Sequence, residues 1–371
     1  MLNLDKYLNI HSPGYVIEIY TPDKEEEFII GNSETNPKIK KCNSNTLYDI
    51  ASLTKVYTAT LIYMAYEENK LSLTDYIYDI DNRFKYLKEI RIIDLLSHNQ
   101  EIWTNGYLGN TKTKKEFYTT IFSSYIKDYT PTYCDVHYII LSTLLEKIYN
   151  LNFATLLQKK IFDKLKFKHT TVNPQGCNIA SNNYETLNGE IINNIFPGAI
   201  HDTKARVAKK LGITTGHASI FTTGKEFLIF LKSFLDYSLL KPETISIMLR
   251  HRDINKENYN ILKSYIKDEV DINKMYLKAI TKNPQLKLLK TYNYMGTRYS
   301  NNIYFFNDIP RICSPNTITF SGYTGPTFII DFGKKIIVII MCNVMHNTTL
   351  NRFERKNITN DIMEEICKEI Y

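Results

Sequence analysis

The sequence predicts an α/β (α+β) fold in which an antiparallel sheet is built from both ends of the chain and helices occupy the middle. Near the start, the apolar runs Tyr15–Tyr20 and Glu27–Ile30 flank a polar turn, which is the pattern of a β-hairpin. Four runs near the end are also predicted as strands: Tyr292–Tyr299, Thr317–Tyr323, Pro326–Phe332 and Ile336–Val344. Because two strands alone form a marginal sheet, we expect the two ends of the chain to pair.

Helical spacing of apolar residues characterises the middle of the chain and its last residues. The clearest predicted helix is Leu53–Glu68, and an amphipathic helix is predicted over about Ile358–Tyr371. Shorter helices are predicted at Asp94–Ser97, His137–Tyr149, Phe153–Leu165, Lys225–Leu235 and Pro242–Arg250. We therefore expect an α/β sandwich lobe formed by residues 1–55 and 216–371, an inserted all-α lobe formed by residues 56–215, and a cleft between them.

Composition excludes several classes of protein. The 371 residues are 43% hydrophobic and 23% charged, which is typical of a folded globular chain rather than a disordered one. The net charge of +7 comes mainly from lysine, since only nine of the 46 basic residues are Arg and no dense basic run occurs. We therefore expect solvated lysines on helix faces and no nucleic-acid partner.

No window of the sequence approaches 18 consecutive apolar residues, so no membrane span is predicted. Asp5 and Lys6 interrupt the stretch in which a signal peptide needs an apolar core. The six cysteines are scattered without a C-x-x-C pair, which indicates reduced, buried thiols. We expect a cytoplasmic location for the chain as written, and an extracytoplasmic one if the native start is truncated.

The chemistry centres on a Ser-x-x-Lys motif, Ser52-Leu53-Thr54-Lys55, at the start of the longest predicted helix. Residues i and i+3 lie on one helix face with their Cβ atoms about 5–6 Å apart, so the lysine amine can reach the serine hydroxyl. The helix N-terminus favours a developing alkoxide, and burial lowers the pKa of a lysine so that it can act as a base. Alone, this spacing is also common in helices without catalytic function.

Further segments follow this motif in a characteristic order: Asn69–Asp75, Ile90–His98, Tyr133–Lys147, Gly198–Phe221 and Met341–His346. In type and order they resemble those of the serine β-lactamase and penicillin-binding-protein superfamily, in its class C and esterase-like branch. The resemblance covers most of residues 48–346. It implies a β-lactamase/transpeptidase-like fold and a serine hydrolase that works through an acyl-enzyme on Ser52, without a cofactor.

By this resemblance, Tyr133 is the phenol that contacts Ser52 and Lys55 and relays protons, and we expect the charge of Lys55 to favour its phenolate. Asp135 stands where the best-known members carry Asn, so it belongs to the substrate-binding set. An ionised Asp only accepts hydrogen bonds, whereas Asn both donates and accepts. Substrate preference is therefore open at this position.

The family's third motif is a Lys/His-Thr/Ser-Gly triplet followed by a residue whose backbone N–H forms half of an oxyanion hole. Reading Tyr323–Gly325 as the triplet places Pro326 in the hole, and proline has no N–H. We prefer the register in which Ser321 and Gly322 are the motif pair and Tyr323 is the hole residue, with the N–H of Ser52 as the second donor.

In this register Phe320 replaces a cationic or polar residue of the substrate-binding set. A site that held a substrate carboxylate would lose that contact, which argues against an efficient β-lactamase or D-Ala-D-Ala peptidase. Four other polar residues of the family segments are expected in turn and cap positions, the last of them near the cleft: His98, His201, Asp202 and His217. Asp94 and His98 lie one turn apart but lack a third ligand, so no metal site is predicted.

The sequence thus predicts a hydrolase of an ester or an amide in a small-molecule or peptide-like substrate. The alternative is a catalytically weak or silent binding protein on the same scaffold, which is suggested by Phe320, Asp135 and the missing signal peptide. A nucleic-acid binder rests on charge alone. The sequence specifies neither the substrate nor an oligomeric state.

Overall fold

Both ends of the chain contribute strands to one seven-stranded antiparallel sheet, as predicted. The computed structural model describes residues 4–36, 38–176, 178–182, 185–187, 190–192, 197–251, 256–265, 278–300, 308–346 and 349–371. The strands of the sheet are β1 (Gly14–Tyr20), β2 (Glu25–Glu34), β3 (Lys40–Lys41), β10 (Arg298–Tyr299), β11 (Thr317–Ser321), β12 (Thr327–Asp331) and β13 (Ile336–Cys342). Their order is β10-β11-β12-β13-β1-β2-β3. The first and last parts of the chain meet where β1 pairs with β13, from Tyr15 opposite Cys342 to Tyr20 opposite Ile337.

Short strands form three two-stranded ribbons outside this sheet. They are β4 (Tyr48–Asp49) with β9 (Phe221–Thr222), β5 (Glu101–Trp103) with β6 (Tyr125–Asp128), and β7 (Glu185–Leu187) with β8 (Glu190–Ile192). The β4–β9 ribbon lies directly before Ser52 in the chain, so it fixes where the predicted nucleophile begins its helix.

The predicted helices are present, and others occur between them. The α-helices are α1 (Thr54–Glu67), α2 (Ile77–Ile80), α3 (Ile92–Leu96), α4 (Lys114–Phe122), α5 (Asp135–Tyr149), α6 (Phe153–Leu157), α7 (Thr203–Lys210), α8 (Gly224–Asp236), α9 (Pro242–Met248), α10 (Lys256–Tyr265) and α11 (Arg352–Ile370). Residues 278–282 are also helical. A π-helical turn, Gln158–Phe162, continues α6, and 3₁₀ turns form at Asp5–Tyr7, Ala51–Leu53, Leu108–Asn110 and Pro284–Leu289. The boundaries of the two predicted lobes, residues 1–55 with 216–371 and residues 56–215, stay a prediction.

The sheet is covered on both faces, which explains why β13 is an unbroken apolar run. On one face, Phe227 of α8 packs edge-on against Phe328 of β12, with ring centroids 5.8 Å apart. On the other face, Ile362 and Ile366 of α11 belong to the same buried cluster as Ile340.

Helix α11 begins six residues earlier than the apolar spacing predicts. Asn351 accepts hydrogen bonds from the backbone of Phe353 and Glu354, and the Glu354 carboxylate accepts one from Asn351 N–H. This capping box stabilises a polar first turn that hydrophobic periodicity alone does not reveal. Among the helices that the structure describes, none combines the length and the apolar character needed to cross a membrane.

We expect Ile340→Ala to lower the free energy of unfolding by about 2–5 kcal/mol, because it leaves a cavity between sheet and helix. Ile340 is fully buried, whereas Ile39 is 72% exposed. The control Ile39→Ala should change that free energy by less than about 0.5 kcal/mol. Urea unfolding followed by tryptophan fluorescence measures both variants, and equal losses would contradict this description of the core.

Candidate active site

Ser52 lies in the 3₁₀ turn Ala51–Leu53, which leads directly into α1. The residue before it, Ala51, has a φ of 44°, a left-handed conformation that a non-glycine residue adopts only at a cost. The buried Asp49 carboxylate stabilises this turn: one oxygen accepts from Ala51 N–H (2.9 Å) and the other from His201 N–H (2.8 Å). The side chain of Asp49 thus fixes the backbone that presents the Ser52 hydroxyl.

Lys55 is the most deeply buried cation of the site, with 1% of its surface exposed. Its Nζ donates to Ser52 Oγ (3.1 Å), to Asp135 Oδ1 (2.8 Å) and to the carbonyl oxygen of His217 (3.2 Å). The i and i+3 residues therefore meet as the sequence spacing predicts. All three ammonium protons have an acceptor.

Two opposing effects act on the charge of Lys55. Burial lowers the pKa of Lys55, because the ammonium loses its hydration, and the Asp135 carboxylate opposes this shift. The result is a lysine whose proton is easier to remove than that of a solvated lysine, next to the hydroxyl that needs a base.

Tyr133 completes the contacts of the serine. Its phenol donates to Ser52 Oγ at 2.8 Å. Burial and the nearby Asp135 charge raise the pKa of Tyr133 well above its usual value. The phenol is therefore protonated at rest, contrary to our expectation that Lys55 favours a phenolate. The catalytic roles of Lys55 and Tyr133 stay a prediction.

Asp135 is part of a chain of charges that sequence reasoning missed. Its second oxygen lies 3.1 Å from Nζ of Lys204, which also lies 2.9 Å from Asp202. Asp202 in turn accepts from the ring of His217 at 2.9 Å and caps the N-terminus of α7 through Ala205 N–H. Lys204 is thus a second ammonium that balances Asp135. The only feature of the sequence that could have indicated Lys204 is its position two residues after Asp202.

The side chains of Asp135, Asp202 and His217 place ligand atoms within 4.8 Å of one another, a spacing that suits a metal ion. Lys204 Nζ, however, contacts both carboxylates and supplies the positive charge that an ion would bring. This donor set does not fit a resident metal, and the absence of a metal site stays a prediction.

A buried pair of histidines, His98 and His137, lies next to Tyr133. The His98 ring lies 4.7 Å from the Tyr133 ring, and its Nδ1 lies 3.1 Å from Nδ1 of His137 and 3.2 Å from the backbone nitrogen of Cys134. Burial lowers the pKa of both histidines, that of His137 to about 3, so both rings are neutral. His98 therefore acts by packing against the phenol.

The end of β11 closely approaches the serine turn at Gly322. A Cβ added at Gly322 would lie 2.5 Å from the carbonyl oxygen of Ile50, so only glycine permits this approach. The next residue, Tyr323, lines the same cavity as Ser52, and its ring is half-exposed. The assignment of Tyr323 N–H to an oxyanion hole stays a prediction.

Phe320 and Ser321 lie on β11 beside the catalytic candidates. The Phe320 ring is buried, 6.1 Å from the ring of Tyr133, and forms an apolar contact where the family has a polar group. Ser321 Oγ accepts from Nη2 of Arg298 at 2.8 Å. A guanidinium from the neighbouring strand β10 therefore lies next to Phe320, which in the predicted register replaces a cationic or polar residue.

These residues line one cavity of about 760 Å³. Its lining includes Ser52, Tyr133 and Asp135 together with the end of β11. Of the four further residues predicted from the sequence, His201, Asp202 and His217 also line the cavity, whereas His98 does not. The arrangement offers a hydroxyl nucleophile, a buried amine and a phenol in a space large enough for a small organic substrate.

This site and sheet define the β-lactamase/transpeptidase-like fold. The model of the Beta-lactamase family matches residues 9–360, so the chain belongs to this family, whose members are serine hydrolases. A relative from Salmonella typhi named "Putative D-alanyl-D-alanine carboxypeptidase" is 22% identical over 354 residues, which are 86% of this chain and 74% of the relative.

Solved structures agree on the fold. A class C β-lactamase from Rhodobacter sphaeroides aligns over 98% of both chains with a TM-score of 0.64 and 14% identity. Unliganded simvastatin synthase (LovD) from Aspergillus terreus aligns over 97% of this chain and 94% of its own, with a TM-score of 0.66 and 15% identity. These matches confirm the family resemblance that the ordered motifs indicate, and they confirm the predicted fold.

We expect Gly322→Ala to slow modification of Ser52 by a fluorophosphonate at least about tenfold, because the strand end must move away from the serine turn and weaken oxyanion stabilisation. Mass spectrometry of the Ser52 peptide against time measures this rate. Gly212→Ala is the control: it strains another turn with a φ of 74°, but it does not line the cavity. Equal rates for Gly322→Ala and the wild type would contradict the register.

Proposed function

We propose that the protein is a serine hydrolase that cleaves an ester or amide bond through an acyl-enzyme on Ser52. The observation that carries this proposal is the convergence of two proton-bearing groups on one hydroxyl oxygen: Lys55 Nζ at 3.1 Å and the Tyr133 phenol at 2.8 Å. A serine beside a buried amine is the arrangement that nucleophilic catalysis requires.

In the acylation step, Ser52 Oγ attacks the substrate carbonyl carbon, and its proton passes to the neutral amine of Lys55. The carbonyl oxygen becomes an oxyanion, which the N–H groups of Ser52 and Tyr323 stabilise. The intermediate then expels the leaving group, which takes a proton from Tyr133. Tyr133 regains a proton from the Lys55 ammonium.

Water completes the reaction. It attacks the acyl carbon, gives its proton to Lys55 and releases the acid, while the proton returns to Ser52 Oγ. The steps use the contacts of Ser52 Oγ with Lys55 and Tyr133, and none of them calls for a cofactor.

Two features bear on whether the cleaved bond is an amide or an ester. The carboxypeptidase name of the Salmonella relative supports a peptide-like amide. The apolar Phe320 beside Tyr133 removes a polar contact that such a substrate would use, so simple esters are the first substrates to test.

We expect wild-type protein to hydrolyse a nitrophenyl ester steadily and Ser52→Ala to lose at least about 10³ of that rate, because no other group replaces the nucleophile. Ser238→Ala, which changes an exposed serine, is the control. A fluorophosphonate should add its mass only to the Ser52 peptide. Wild-type turnover no faster than that of Ser52→Ala would instead favour a silent binding protein.

The pH dependence should report the proton on Lys55. Because the base must be neutral, kcat/KM should rise with pH through the pKa of Lys55. The Tyr133 ring lies 4.9 Å from this amine, and the other titratable groups that interact with it are Asp135, Asp202, Lys204, His98 and His137.

The Lys204 ammonium lowers the pKa of Lys55, so Lys204→Met should move the rising limb to higher pH. Asp135→Asn removes the opposing negative charge and should move it to lower pH. Lys210→Met, an exposed lysine on the same helix as Lys204, should leave the limb in place. Shifts of the same sign for the first two variants would contradict the assignment of Lys55 as the base.

A further inference from the structure

Two cysteines that the hydrolytic steps do not use are neighbours where the last helix packs on the sheet. Cys367, in the last turn of α11, is fully buried, and Cys313, in the segment that leads into β11, is half-buried against the same apolar cluster. The two thiols are free, and they share a hydrogen bond. Two sulfur atoms in contact are the first requirement of a disulfide.

One carboxylate fixes the chain segments that carry these cysteines. Asp331, the last residue of β12, accepts at Oδ2 from the backbone N–H of Ser314 at 2.8 Å and from the phenol of Tyr371 at 2.7 Å. Its Oδ1 accepts from the Ser314 hydroxyl. Ser314 directly follows Cys313, and Tyr371 lies one helical turn after Cys367. Hydrogen bonds to a strand of the sheet therefore hold both segments beside each other.

The two thiols differ in reactivity. The hydrogen bond with Cys367 lowers the pKa of Cys313, although burial and the charges of Asp331 and Glu364 act in the opposite direction. The same hydrogen bond, together with burial, raises the pKa of Cys367. Cys313 is also the more accessible of the two, since Cys367 has none of its surface exposed. Because the thiolate is the nucleophile, Cys313 should react first with an oxidant and Cys367 second.

We propose that Cys313 and Cys367 form a reversible disulfide by exchange with a low-molecular-weight disulfide such as oxidised glutathione. The Cys313 thiolate attacks one sulfur of glutathione disulfide, whose S–S bond breaks and releases one glutathione. The Cys367 sulfur then attacks Cys313 in the mixed disulfide, and the second glutathione leaves. The two protein thiols lose two electrons and two protons, and the glutathione disulfide gains both as it becomes two thiols.

The new bond would join α11 and β11 at their ends away from the cavity. Arg352, in the first turn of α11, and Ser321, the last residue of β11, line the cavity, whereas the cysteines lie at the last turn of α11 and before the start of β11. The cysteines are 54 residues apart in the sequence, so a cross-link between them restricts the unfolded chain. We therefore expect the disulfide to stabilise the packing of α11 on the sheet.

Incubation with oxidised glutathione, followed by peptide mapping without reduction, tests this proposal. We expect the wild type to yield cross-linked Cys313 and Cys367 peptides and a thermal unfolding midpoint at least about 3 °C above that of dithiothreitol-treated protein. Cys367→Ser should retain glutathione on Cys313, because the thiol that displaces it is missing. Cys313→Ser should leave Cys367 unmodified, because Cys367 is buried.

Cys134→Ser is the matched control, since Cys134 is also half-buried but its thiol donates to the carbonyl oxygen of Ile102 at 3.0 Å. This variant should form the cross-link as the wild type does. Glutathione retained on Cys313 of the wild type, or a wild-type map without the cross-linked peptides, would overturn the proposal whether or not the variants fold. A cross-link that leaves the midpoint unchanged would overturn its stabilising role. Neither cysteine lines the cavity, so these outcomes are independent of hydrolysis at Ser52.

Discussion

A single buried ammonium, that of Lys55, is the constraint on which the arrangement of the cleft depends. With 1% of its surface exposed, it has lost the water that would otherwise solvate its charge, and an unpaired charge in such a place costs several kcal/mol. Its acceptors come from three parts of the chain: Ser52 from its own helix, Asp135 from the start of α5, and the His217 carbonyl from the segment before β9. The hydrogen bonds of one amine therefore bring Ser52, Asp135 and the segment before β9 together.

The sheet supplies the rigidity that this arrangement needs. Strand β13 is buried on both faces, so helices α8 and α11 are fixed on opposite sides of one layer. The closing helix contributes Ile362 and Ile366 to the core, and its polar first turn carries Arg352 and Arg355 to the cavity. Helix α11 therefore completes the hydrophobic core with its apolar face and places cations at the cavity with its capped first turn.

Local patterns in the sequence predict much of this structure, and contacts between distant residues account for what they miss. Apolar runs locate β11 to β13, period-3.6 spacing locates α1, and ordered motifs locate Ser52, Lys55 and Tyr133. The predicted strand Tyr292–Tyr299 shortens to Arg298–Tyr299, because the Asn293 side chain accepts from Met295 N–H and Thr297 N–H and folds the segment into a turn. Helix α7 escapes detection because its eight residues, TKARVAKK, have few apolar side chains. Lys204 and Arg298 escape detection because the partners that bring them to the site, Asp135 and Ser321, lie 69 and 23 residues away in the sequence.

Two departures from the family pattern first suggested a silent site, and the structure shows that neighbouring elements offset both. Asp135 places a negative charge beside Lys55, which would keep the amine protonated, but Lys204 balances that charge from α7. Phe320 removes a cation from β11, but Arg298 brings a guanidinium from β10 to the next residue, Ser321. Each buried charge is costly unless it is paired, so the fold itself requires these ion pairs. They leave a cation beside each substituted position, which is compatible with the hydrolase that we propose.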